Sequence, residues 1–305
     1  MIKIIDVIKK YNEKSVLNKI SLDIPDGKIL GLVGINGVGK TTLLRMLAGI
    51  MKQDDGYIFY DSELIFNNPS KKGELFFIPD EPFYNLTAVG HEVVKLYKEM
   101  YKFDELKFTE YIKLFNLNIN QSLKNYSKGM RRRFFVAIAM AINPKYLIID
   151  EVFDGLDPKA RHVLKNGFIN LISDNESTII IASHSLKELE DVCDEFAIID
   201  EGKILHSGNI DQIAGNTYKF QLAFNENIKF NNCPFEVLDY KTVGKIVYLV
   251  VKGEKETIVN YLKGLNPLII EELPMDFEEL FISTTKGDTT IWKNISNMSL
   301  KGILF

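Results

Sequence analysis

Two cysteines, Cys193 and Cys233, are all that 305 residues contain, too few for a disulfide framework or a cysteine-built metal site. No apolar run approaches the ~18 residues that a bilayer-spanning helix needs, so any membrane part belongs to another chain. The opening Met1-Ile2-Lys3-Ile4-Ile5-Asp6 is too short and too interrupted to read as a signal peptide. Basic charge is not in excess either. The formal net charge of −4 argues against a nucleic-acid surface. One basic cluster exists, at Lys128, Arg131, Arg132 and Arg133. It opens a helix whose apolar positions Phe135, Ile138, Ala139 and Ile142 turn inward, so it reads as a solvated helical face. What remains is the composition of a soluble intracellular protein, long enough to bury one full α/β core and a smaller appendage.

Against that background one stretch dominates. Gly34-Ile35-Asn36-Gly37-Val38-Gly39-Lys40-Thr41-Thr42 fits the phosphate-binding loop G-x-x-x-x-G-K-[ST]. Its context is right: the apolar run Ile29–Val33 reads as a buried parallel strand, and Leu43, Leu44, Leu47 and Ile50 follow at helical spacing. The glycines let backbone N–H groups converge on phosphate oxygens, and the helix opening near Gly39 adds its positive dipole end. Asn36, Gly37, Gly39, Lys40, Thr41 and Thr42 are therefore the candidate nucleotide-binding set. Lys40 would reach the β- and γ-phosphates of ATP, and Thr41 would ligate Mg²⁺.

A second apolar strand, Tyr146–Asp150, ends in an acid, and Glu151 follows directly. An Asp at the carboxyl end of a parallel strand can hold Mg²⁺, which makes Asp150 a metal candidate. The neighbouring Glu can polarise an attacking water as general base. Ile179–Ala182 forms another strand, with Ser183-His184 at its carboxyl end, the edge where open α/β sheets bind ligands.

The order of the remaining pieces carries a resemblance. Tyr126-Ser127-Lys128-Gly129-Met130 lies upstream of the acidic strand, and Gly155-Leu156-Asp157-Pro158 and His184 lie downstream. With the P-loop, this order resembles the ATP-binding subunit of an ABC transporter, over about residues 1–215. The resemblance implies that two such domains meet head to tail, as a homodimer or heterodimer, each ATP being clamped between one P-loop and the partner's signature loop. On that basis Ser127 and the N–H of Gly129 would donate to the γ-phosphate in trans, and Asp157 would couple the two sites at the seam. His184 would hold the γ-phosphate and the water in register with Glu151, and Tyr11 would stack on adenine. It further implies a peripheral location on the cytoplasmic face of the cell membrane, beside a separate permease. The Pro79-Asp80-Glu81-Pro82 and Tyr126–Met130 variants look like those of exporter groups. Two positions depart from the family pattern. Asp80 stands where Gln is usual; it can still ligate Mg²⁺ or a water, but it adds negative charge beside the triphosphate. Lys128 replaces the first glycine of the signature pair, its side chain pointing outward or adding positive charge near the phosphate.

The expected fold is α/β: a P-loop NTPase core with an N-terminal antiparallel β subdomain and a helical signature subdomain at about 85–143, followed by a small α+β region at 216–305. In the helical part Val89, Val93, Leu96, Tyr97 and Met100 are expected on one face, as are Phe108, Tyr111, Ile112 and Phe115. Beyond Gly215-Asn216 the pattern predicts strands at Tyr218–Phe224, Phe235–Tyr240, Ile246–Val251 and Leu268–Leu273. Helices are expected at Glu254–Lys263 and Asp276–Ile282, then an apolar, irregular tail from Ile291. That region reads as a packing or dimer-stabilising appendage or as a regulatory ligand site. A chromosome-maintenance ATPase would need a long coiled coil between Lys40 and Ser127, and a translation-factor type would need a second P-loop; the chain has neither. The reading is thus an ATPase that powers a permease, the alternative being a soluble ABC-type ATPase that regulates a non-transport process.

Overall fold

The structure, a computed structural model, describes residues 1–85, 87–209, 216–225, 230, 233–275 and 279–280. It divides into two units, Met1–Ser207 and Gly208–Phe305, a break several residues ahead of the Gly215-Asn216 expected from sequence.

The first unit begins with a hairpin, β1 (Ile2–Tyr11) and β2 (Lys14–Ile24), paired antiparallel. Ile2, Ile4 and Val7 on one strand, and Leu17, Ile20, Leu22 and Ile24 on the other, are buried. That near-alternation is what a strand with one wet face requires. Further along the chain β4 (Asp55–Tyr60) and β5 (Glu63–Leu64) extend the same sheet in the order β2-β1-β4-β5.

The second sheet is built differently. Its six strands run in the order β10-β9-β3-β8-β7-β6, with β3 at Ile29–Val33, β6 at Leu75–Ile78, β7 at Tyr146–Asp150, β8 at Thr178–Ser183, β9 at Glu195–Asp200 and β10 at Lys203–Asn209. The pairs β3–β8, β3–β9, β7–β8 and β6–β7 are parallel. Parallel strands need crossovers: α6 (Pro158–Asn175) joins the neighbours β7 and β8, and α7 (Leu186–Glu190) leads from β8 to β9 on the far side of β3. Every residue of β3, β7 and β8 is buried, which is why these strands read as unbroken apolar runs. Helix α1 (Lys40–Leu47) leaves the carboxyl end of β3, and the short α2 (Pro69–Gly73) precedes β6.

Between β6 and β7 lie α3 (Gly90–Met100), α4 (Glu105–Leu114) and α5 (Lys128–Ile142). Asp104 caps α4 by accepting from the N–H groups of Leu106 and Lys107, and Phe108, Tyr111, Ile112 and Phe115 are buried as their spacing predicts. Helix α3 is rotated from expectation: Leu96 and Met100 are exposed while Val94 is buried. Tyr97 anchors it, its ring 5.4 Å from Phe76 of β6 and 6.3 Å from Phe135 of α5. The positions of β6 and α5 thus choose the inward stripe, and the periodicity of α3 alone does not. Helix α5 is buried continuously from Phe134 to Ile142, as a helix apolar all round must be.

In the second unit β11 (Thr217–Ala223), β12 (Glu236–Val243), β13 (Ile246–Lys252) and β14 (Ile269–Leu273) form an antiparallel sheet in the order β12-β13-β11-β14. Helix α8 (Lys255–Gly264) supplies Ile258 and Leu262 to a core with Phe220, Leu222, Leu249 and Val251. These elements fall close to the expected ones. Of the helix expected at Asp276–Ile282 only Glu279 and Leu280 are described, both helical; the rest of it, and the tail from Ile291, lie outside the described residues.

Candidate nucleotide site

The parallel strands deliver their carboxyl ends to one edge, and the loop after β3 wraps it. Gly39 caps α1 with φ of 111°, and a Cβ there would lie 2.6 Å from the Leu17 Cδ2 atom, so only glycine lets the loop turn into the helix at this point. Lys40, the first residue of α1, is buried. Its Nζ donates to the carbonyls of Gly34 at 2.6 Å and Ile35 at 3.3 Å, and stands 3.5 Å from Oε1 of Glu151. Burial pulls its pKa down, and the charges of Glu151 and Asp150 only partly offset that. A cation held in this way gains when polyanionic phosphate arrives.

The Thr41 hydroxyl donates to Oδ2 of Asp150 at 2.6 Å. Asp150 is almost wholly buried, and its Oδ1 has no hydrogen-bond partner. Burial raises its pKa, against the Thr41 hydrogen bond that lowers it. A buried acceptor without a donor costs free energy unless something positive meets it. Among the described residues no group of three or more His, Cys, Asp or Glu side chains could hold a metal alone. Thr41 with Asp150 suits instead an ion such as Mg²⁺, which is held by one or two carboxylates and completes its shell from phosphates and water.

Glu151 is the first residue beyond β7, with φ of 52°, a left-handed conformation that costs a non-glycine residue about 1–3 kcal/mol. Its N–H donates to the carbonyl of Ala182 in β8 at 2.9 Å. This re-aims the side chain so that Oε2 lies 2.9 Å from Nδ1 of the half-exposed His184, at the end of β8. An ionised carboxylate only accepts, so Nδ1 carries the proton of that hydrogen bond.

A cavity of about 420 Å³ gathers Asn36, Gly37, Gly39, Lys40, Thr41 and Thr42 with Asp80, Asp150, Glu151 and His184. Ten candidate residues thus share one site. Val16 and Asp154 line it as well, unforeseen from sequence, and so does Lys128, the inward one of the two placements open to it. Four candidates are elsewhere. Tyr11 ends β1 with an exposed ring, its hydroxyl 3.2 Å from the Met51 sulfur. Ser127 caps α5, its Oγ accepting from the Met130 N–H at 3.1 Å, so the helix starts at Lys128. Gly129 sits in that first turn, where a Cβ would come within 2.9 Å of the Gly155 carbonyl oxygen. Asp157 caps α6, accepting from the Ala160 N–H at 2.9 Å.

Asp80 shares the cavity but is committed. Arg132 donates to its Oδ1, and Lys128 Nζ lies 3.0 Å from the same carboxylate. Burial raises its pKa, but the hydrogen bonds and charges of Lys128 and Arg132 outweigh burial and leave it lowered. As a metal ligand it would have to release two cations. Arg132 also corrects the reading of the basic cluster as a solvated face. It is fully buried and donates to the Asp154 carbonyl, with its guanidinium 3.3 Å from the Asp154 carboxylate. A buried guanidinium persists only with such partners.

Comparison with known proteins fits this geometry. The family model described as "ABC transporter" matches residues 17–154. The chain is 31% identical to the lipopolysaccharide export system ATP-binding protein LptB of Haemophilus influenzae, over 73% of this chain and 97% of that protein. The chain belongs to the ABC transporter ATP-binding family. The ABC transporter ATP-binding protein YtrB of Bacillus subtilis is 28% identical over 94% of this chain and 99% of its own length, so the likeness runs on into the second unit. A solved structure of an ATP-binding subunit of an ABC transporter superposes with a TM-score of 0.65 at 25% identity, over 70% of this chain and 92% of that one. This ABC protein is an ATP-binding subunit of a transporter and an ATPase. Among its described residues no helix is long and apolar enough to cross a membrane.

Proposed function

We propose that two ATP-binding subunits, alike or different, meet head to tail and hydrolyse Mg²⁺-ATP in two composite sites to drive a separate membrane permease. The observation that carries this reading is a division of the candidate groups. Lys40, Thr41, Asp150, Glu151 and His184 converge on one cavity, whereas Ser127 and Gly129, at the capped start of α5, do not line it, and only Lys128 between them reaches in. A capped N-terminus with free hydroxyl capacity and a positive dipole end is suited to an anion brought by another subunit.

In this reading the loop amides and Lys40 bind the phosphates, and Thr41 and Asp150 hold Mg²⁺, which would neutralise charge on the phosphates. Glu151 takes the proton of the attacking water, and His184, fixed by its Nδ1–H bond to Glu151, turns Nε2 toward the γ-phosphate. Tyr11 offers an exposed ring to the adenine, and Asp157 joins the two sites at the seam. The permease holds the subunit at the cytoplasmic face of the membrane. The likeness to a lipopolysaccharide export protein supports the outward direction. The second unit serves as a packing or dimer-stabilising appendage.

The test is Ser127→Arg. The isolated subunit should bind ATP almost as the parent does, yet neither dimerise with ATP nor turn it over. Mixing Ser127→Arg with Lys40→Ala subunits should restore part of the activity, because the mixed dimer contains one site with a sound P-loop and a sound signature turn. Normal hydrolysis by Ser127→Arg as a dilute monomer would overturn the head-to-tail reading.

A further inference from the structure

Asp80 and Lys128, the two places where the chain departs from its family's pattern, touch each other. Lys128 Nζ lies 3.0 Å from Oδ1 of Asp80 and 3.7 Å from Oδ2 of Asp154. Arg132, one helical turn on, reaches the same two acids, as the four-residue spacing on a helix allows. Two cations of α5 therefore clasp two acids from separate segments, one after β6 and one after β7. Beside this clasp the first turn of α5 sits directly on backbone, at the contact of Gly129 with the Gly155 carbonyl. The Lys128 side chain thus folds into its own chain's cavity. It does not project from the signature turn, where a long side chain would obstruct a phosphate approaching Ser127 and Gly129.

We propose that Asp80 and Lys128 are a positioning pair: Asp80 draws Lys128 out of the signature turn and fixes the start of α5, and with it Ser127 and Gly129, relative to the P-loop cavity. The pair rests on the head-to-tail reading, since only there does the placement of Ser127 govern turnover. Asp80 then acts through Lys128 and is not a ligand of the metal.

The experiment is a double-mutant cycle on the full chain with Asp80→Asn, Lys128→Ala and the combined variant, read by steady-state ATP hydrolysis and by Mg²⁺ titration. Each single change should lower kcat by about threefold to tenfold, toward the lower end of the coupling found between contacting residues, with KM for ATP and half-saturating Mg²⁺ unchanged. The double variant should be no worse than the poorer single one. Multiplying losses would overturn the pair, as would a raised half-saturating Mg²⁺ in Asp80→Asn. Both side chains are close to half exposed, so neither removal empties the core. Lys128→Arg guards against a merely structural defect: it keeps the cation and should stay within about twofold of the parent, and a loss equal to that of Lys128→Ala would sink the proposal. Ser127→Arg, run alongside, separates the failures. If it is inactive while Asp80 and Lys128 act independently, the pair alone is overturned; if it is active, the head-to-tail reading goes, and the pair with it.

Discussion

Replacing Glu151 by Gln removes basicity and little else. The side chain keeps its length, and its amide oxygen can still accept from the Nδ1–H of His184 across the present 2.9 Å contact. The left-handed backbone at Glu151 is held by the N–H bond to Ala182, which the substitution leaves in place. The ion-pair contact of 3.5 Å with Lys40 is lost, but Lys40 retains the Gly34 and Ile35 carbonyls, so the P-loop stays shaped for phosphate. A positioned general base contributes about 10²–10⁴ in rate, which corresponds to about 3–5 kcal/mol of barrier. Hydrolysis should therefore fall by that factor while ATP affinity stays close to the parent's. Bound ATP that cannot be cleaved should accumulate as a dimer. Phosphate release gives the rate, a nucleotide filter-binding assay gives the affinity, and light scattering gives the mass. Turnover within about threefold of the parent would show that the water is activated elsewhere, since no other effect of this change approaches 3 kcal/mol.

Tyr11→Ala should weaken ATP and GTP binding alike, by the roughly 1–3 kcal/mol that stacking on one base is worth; unchanged calorimetric affinity would move the base to the Val16 side of the cavity. Asp61 accepts from Lys145 at 2.6 Å and from the Tyr146 hydroxyl at 2.9 Å. Burial alone would raise its pKa, but these bonds and the Met1 amino group hold it well below the usual carboxylate range. Its contribution is thus complete above the unfolded carboxylate pKa of about 4 and is lost as the pH falls further. Asp61→Asn should lower stability at neutral pH by about 1 kcal/mol and flatten the acid limb of a denaturation-midpoint series; an unchanged limb would exclude Asp61 as its source. Phe134→Ala should cost about 3–5 kcal/mol, because a fully buried ring with edge contacts to Phe108, Tyr126 and Phe135 leaves a cavity; a urea midpoint within error of the parent's would mean that the helical layer repacks around the gap.

The sequence alone determined whatever local chemistry decides. A glycine-rich turn between an apolar strand and an amphipathic helix is set by local backbone freedom and periodicity, so the loop at Gly34–Thr42 and the helix that follows it were legible without coordinates. Unbroken apolar runs ending in Asp150-Glu151 and in Ser183-His184 marked buried parallel strands and their reactive edge, because only strands covered on both faces carry no polar alternation. The strands of the second unit were legible for a different local reason, seen in β11, where the buried Phe220 and Leu222 alternate with less buried residues as in an antiparallel strand with one covered face. Tertiary structure decided what depends on meetings between segments distant in sequence. The rotation of α3 was set by Phe76 and Phe135 against Tyr97, which helical period cannot foresee. The burial of Arg132 required Asp80 and Asp154, fifty-two and twenty-two positions away. The left-handed turn at Glu151, which brings its carboxylate between Lys40 and His184, came from the packing of β7 against β8. Long-range pairing fixes where a charge points, and a charge at a site acts only through where it points.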